Sequence, residues 1–171
     1  MIIQELNMSE EKVRAMGNDP LGGVDDVSSE VKIESRYGTV TVNLKNALFF
    51  PKGILGLPDC KDFCLATLPS KNMQRFKLLQ SLNDEKLSFV VLPLAADTPL
   101  IDQADIKECC DVTQISPESL VILAIVSVQR SPEKTQITAN MRAPIVLDAN
   151  DKLAVQYVFP SNKYNICQAL N

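Results

Sequence analysis

A chain of 171 residues, 46% apolar and 22% charged, has the length of one ordinary domain and the composition of a packed globular protein, which excludes disordered, collagenous and whole-chain membrane readings. Its net charge of −4 is unevenly placed: residues 1–30 hold seven acids and two bases, a balance of −5, whereas the remainder holds 15 bases and 14 acids, a balance of +1. A near-neutral body offers no broad field for phosphate backbones, so direct nucleic-acid binding is not expected.

Residues 1–11 lack a basic stretch followed by an apolar core and a small-residue cleavage site, so no export signal is expected. Ser9 stands as an N-cap before Glu10 and Glu11, which predicts a short helix over 9–16. The glycines between 17 and 23 and the polar run 25–29 then read as a flexible connector. This divides the chain into an acidic N-terminal arm, residues 1–30, and a single β domain, residues 31–171.

Within the body, Val31, Ile33 and Ser35 alternate with polar partners, Tyr37-Gly38 turns the chain, and Val40, Val42 and Leu44 resume the period of two, predicting a hairpin. A strand over 47–50 ends at Pro51, and Gly53-Ile-Leu-Gly-Leu-Pro58 reads as a loop. Strands over 63–68, 75–82 and 87–92 follow, the last two joined by a turn at 83–86. Asp102 as a cap, with Ile106, Cys109 and Cys110 at helical spacing, predicts a helix over 102–110, and Ser116-Pro-Glu118 predicts a single helical turn. Residues 120–128 are apolar on both faces, the pattern of a central strand buried from two sides.

A turn at 131–134, strands over 135–139 and 145–148, and a hairpin turn at 149–152 leading into 153–159 complete the pattern. Pro144 cannot donate to a ladder and belongs at an edge, a bulge or a strand start. About nine short strands with one or two short helices predict a mainly β fold, an antiparallel meander or barrel. Only the connection over 93–119 is long enough for a parallel crossover. The longest apolar run, 120–126, is far short of the roughly 20 residues of a membrane-spanning helix, so no membrane association is expected.

The chain has no histidine. That removes the commonest general base, every Ser-His or Cys-His nucleophile and every His-containing metal site, which lowers the expectation of catalysis without abolishing it; no metal or cofactor is expected. Five cysteines, an odd count without framework spacing, point to a reducing, cytoplasmic setting. Cys60 and Cys64 have the spacing of half a thiolate zinc site, but the vicinal Cys109-Cys110 pair does not complete one, and burial as small hydrophobes is expected. Asp97, Asp102 and Asp105 lack the spacing of a calcium loop and read as turn and capping acids; a histidine-free enzyme would need them to converge with Lys or Arg in a pocket. Gly53-x-x-Gly56 lacks the third glycine and the Lys-Ser/Thr of phosphate loops. Lys71, Arg75 and Lys77 around Phe76 read as a solvated strand face.

Gln80-Ser81 and Asn140-Met-Arg142 place polar groups in otherwise apolar strands, where burial costs free energy unless the groups are bonded. Either they satisfy a bulge or a barrel corner, or they belong to a partner surface. Both accounts stay open at this point.

Tyr37-Gly38, Phe50-Pro51-x-Gly53-Ile-Leu-Gly56, Phe76-x-Leu-Leu-Gln-Ser81, Asp84, Leu87-Ser-Phe-Val-Val91 with Pro93, and Thr138-Ala-Asn-Met-Arg-Ala-Pro-Ile-Val146 followed by Gln156 resemble, in this order, the flagellar assembly factor FliW family. The resemblance runs from about Val31 to Tyr164. It implies a cytoplasmic, non-enzymatic, β-barrel-like protein, monomeric when free, that binds the RNA-binding translational regulator CsrA and also flagellin. Flagellin occupies the factor until it is secreted; the released factor then sequesters CsrA, which couples flagellin synthesis to secretion. Gln80, Asp84, Asn140 and Arg142 lie in the shared segments and are the expected partner-binding residues. A β-barrel adaptor or chaperone-like module for another protein is the alternative. Leu55 stands where the family often carries proline, and residues 1–30 have no counterpart there.

Overall fold

The computed structural model describes residues 29–70, 73–160 and 162–170. The helix expected over 9–16, its connector and Lys71 lie outside the described residues. Strand β1 (Glu30–Ser35) pairs antiparallel with β2 (Gly38–Asn43) in the register Ser35↔Gly38, so the turn residues are Arg36 and Tyr37, one position earlier than the sequence suggests. Ser35 Oγ accepts from Tyr37 N and donates to Gly38 O, and Gly38 adopts a φ of +105°, which its missing side chain permits.

Seven further strands close a ring: β3 (Leu48–Phe49), β4 (Asp62–Thr67), β5 (Lys77–Ser81), β6 (Ser88–Leu94), β7 (Leu120–Arg130), β8 (Thr135–Asp148) and β9 (Leu153–Gln156). Neighbours are antiparallel except β3 and β9, which meet in parallel at Phe49↔Leu153. The expected mainly β barrel is thus what forms, and its closure leaves the ring without an open edge. A tenth strand, β10 (Gln168–Ala169), adds to β8 from outside the ring and was not expected.

Two apolar clusters occupy the two sides of this sheet. Leu48, Phe63, Leu79, Val91, Leu123, Ile145 and Ala154, one from each ring strand, pack with Phe50 and Ile54 as the barrel interior. Their chain neighbours Cys64, Leu78, Val90, Ile122 and Val146 point outward into a second cluster, with Val40 and Val42 of the β1–β2 hairpin and Ile106 and Cys109 of helix α1 (Gln103–Thr113). Because the hairpin and helix cover the outer face, β7 needs apolar residues on both sides, which is its sequence pattern.

The structure corrects several boundaries. β8 is one strand of 14 residues, not two, because the ladder to β7 survives an irregularity: Ile125 faces Asn140 and Leu123 faces Ile145, so Ala124 opposes residues 141–144. Pro144 falls inside that bulge, where its missing N–H breaks no ladder bond. β9 ends at Gln156, and the backbone amides of Tyr157 and Phe159 instead donate to the Pro144 and Arg142 carbonyls, each at 2.9 Å. Residues 116–119 form a hydrogen-bonded turn, Ser119 N to Ser116 O at 3.0 Å, instead of a helical one.

Candidate partner-binding surface

The four expected partner-binding residues fall into two groups. Gln80 and Asp84 belong to the β5–β6 connection. Gln80 is fully buried, and its Nε2 lies 3.0–3.3 Å from the carbonyl oxygens of Ser81, Asp84, Glu85 and Leu87, whose loop it holds against the barrel. Its two N–H groups serve two of these acceptors at a time. Ser81 Oγ accepts from the amides of Asn83 and Asp84, and Asp84 Oδ1 accepts from Lys86 N, so the loop is hydrogen-bonded along its length. Gln80, expected on or beside the partner surface, is thus buried beneath the loop that its amide shapes. Asp84 is exposed at the tip of the loop.

Asn140 and Arg142 belong to the bulge of β8. Asn140 Oδ1 accepts from the amides of Arg142 and Ala143 at 3.1 and 3.0 Å, which satisfies two donors that leave the ladder where β8 bends. Its side-chain oxygen is therefore occupied within the fold, and Arg142, half-buried beside it, is the charged member of this pair. Gln156 connects the same corner to the loop between β3 and β4: Nε2 donates to Ala143 O at 2.9 Å and Oε1 accepts from Leu55 N at 3.1 Å. Three of the segments quoted for the family resemblance thus meet at one place. No hydrogen bond joins this corner to the Gln80 loop among the described residues.

The carboxylate group serves as a clasp. Lys163 Nζ lies 2.5 Å from Asp102 Oδ2 and 2.7 Å from Asp105 Oδ2, and Tyr164 Oη donates to Asp105 while accepting from Asp102 N at 3.0 Å. The C-terminal segment is thereby fastened to the start of α1, and Asp102 takes the N-cap position with its side chain turned to Lys163 and away from the helix amides. Hydrogen bonds from Lys163 and Tyr164 hold the Asp105 carboxyl below its ordinary range. Asp97 is exposed and takes no part in this clasp.

All five cysteines are free; Cys64 and Cys109 are buried, and burial pushes the Cys109 thiol up to about 12, far from the reactive thiolate range. No group of Cys, Asp and Glu among the described residues could hold a metal ion. Phe76 is buried with Arg75 over its ring at 4.7 Å, which leaves no aromatic face for a nucleobase. Among the described residues no helix is long and apolar enough to cross a membrane.

Residues 32–170, which span the barrel, α1 and β10, match the family model of the FliW protein. This chain belongs to the FliW family. The flagellar assembly factor FliW of Oceanobacillus iheyensis is 31% identical over 137 residues, covering 79% of this chain and 90% of that relative. The FliW of Clostridium beijerinckii is 28% identical over 140 residues, with 81% and 96% covered, and that of Syntrophus aciditrophicus 30% over 133 residues, with 77% and 82% covered. A crystal structure of the flagellar assembly factor FliW is similar with a TM-score of 0.59 at 25% identity, over 81% of this chain and 96% of that one. FliW membership makes this chain a flagellar assembly factor, and the FliW match begins within β1, after the acidic residues 1–30.

Proposed function

We propose that this chain is a cytoplasmic, non-enzymatic antagonist that sequesters the translational regulator CsrA, is occupied in turn by flagellin, and so couples flagellin synthesis to its secretion. The observation that carries this reading is the FliW match over residues 32–170, nearly the whole described body. The action is a partner switch: which protein occupies the factor follows from differences in binding free energy and from concentrations, and no covalent step is needed. In this reading Asp84 and Arg142 touch the partner, while Gln80 and Asn140 set the backbone that presents them.

Isothermal titration of the full chain tests the proposal. Both CsrA and flagellin are expected to bind, and flagellin is expected to raise the apparent Kd for CsrA. If neither binds, the barrel serves another partner as an adaptor or chaperone-like module.

A further inference from the structure

The loop between β3 and β4 is held rigidly while presenting an apolar side chain to water. Ile54 and Leu57 exchange backbone hydrogen bonds of 3.2 and 2.7 Å, and Gly53 N donates to Phe50 O at 3.0 Å. Gly53 has a φ of +65°, and a Cβ there would lie 2.3 Å from Leu57 O, so the tight return of the chain admits only glycine. Ile54 anchors the loop in the barrel interior, and Gln156 clamps Leu55 N from the other side. Between these two fixings the Leu55 side chain is 62% exposed.

Beside Leu55 lies a cleft of about 300 Å³, lined by Lys52, Ile54, Pro58, Val155 and Gln156. That volume is at the lower end of small-molecule sites, roughly 300–1,000 Å³, and suits one or two side chains. The only charged lining residue is Lys52, which is exposed and has no ion-pair partner among the described residues. A preorganised apolar anchor next to an apolar cleft is the arrangement that concentrates binding energy at protein interfaces, because little ordering entropy remains to be lost.

We propose that Leu55 and this cleft form a docking site for a protein segment that presents an apolar side chain beside a carboxylate. The apolar side chain fills the cleft against Leu55 and Val155, and the carboxylate meets Lys52. This rests on the reading that the chain acts by binding proteins, but not on which protein it binds.

The probe is acetyl-leucyl-aspartyl amide, titrated to millimolar concentration into the ¹⁵N-labelled full chain and followed by amide chemical shifts. Saturable shifts are expected at residues 52–58 and 155–156. Acetyl-leucyl-lysyl amide should bind about twofold to fivefold more weakly, the range of an exposed ion pair, and Lys52→Gln should abolish that preference. Shifts scattered over the barrel, no saturation, or equal affinity for the two dipeptides overturn the site. In a second arm, Leu55→Ala is titrated against CsrA and flagellin; at least about tenfold weaker binding to one of them is expected, with an unchanged thermal midpoint because Leu55 is exposed. Undiminished binding of both overturns the site and leaves the proposed function standing. Failure of the unsubstituted chain to bind either protein, with the dipeptide result intact, overturns the function and leaves the site.

Discussion

A glutamine in the middle of an apolar strand opposes burial unless its amide is matched, and the Nε2 of Gln80 is matched by the carbonyls of the loop that follows it, whereas its buried Oε1 has no partner among the described residues. Removing the amide takes a donor from the Ser81 and Glu85 carbonyls, while those of Asp84 and Leu87 keep the Leu87 and Ser81 amides, and it opens space in the packed sheet. Gln80→Ala is therefore expected to destabilise the fold by about 2–4 kcal/mol in urea denaturation and to speed hydrogen exchange at 83–87. Unchanged stability with a loss confined to partner binding would return Gln80 to the interface. The anomaly itself, a polar pair after an apolar run, was legible in the sequence. Which account holds was not, because the answer depends on carbonyls whose positions are set by the path of 81–87, and Asn140 reads the same way: its acceptor role follows from a bulge that its own side chain stabilises.

Elements built on local chemistry were legible, and those built on distant pairing were not. The β5–β6 and β8–β9 hairpins and α1 were visible because their turn and capping residues are contiguous. The unity of β8 was hidden because Asn140 and Pro144 look like breaks, and the bulge that reconciles them with a continuous strand is defined by β7. The clasp between α1 and the C-terminal segment was hidden likewise: Asp102 and Asp105 looked like capping acids, and their partners Lys163 and Tyr164 are far along the chain. Its pH dependence has a definite sign. Asp105 has a folded pKa below its unfolded value, so its contribution is complete above about pH 4 and is lost as the pH falls through the depressed folded value. The difference in thermal midpoint between the unsubstituted chain and Asp105→Asn should then be full at neutral pH and shrink below about pH 4. A difference that stays constant down to pH 3 would mean that the clasp does not depend on the Asp105 charge.

At the scale of the whole molecule, ring closure depends on the short contact between β3 and β9, two strands that no local pattern connects. That contact turns a meander into a barrel, whose two faces are filled with apolar residues. The charge is arranged separately from this scaffold. Residues 1–29 hold six acids and two bases, a charge of −4 equal to that of the entire chain, so residues 30–171 are neutral overall. A body without net charge has no monopole to steer a charged partner, whereas an acidic segment would draw in the basic, RNA-binding partner proposed above and repel the RNA that competes for it. Deleting residues 1–29 should therefore slow association with CsrA about tenfold at low salt and flatten the dependence of the on-rate on ionic strength between about 0.05 and 0.3 M, measured by stopped flow. An unaltered salt slope would place the steering charge on the barrel itself, with Asp84 at the tip of the β5–β6 loop the first residue to substitute.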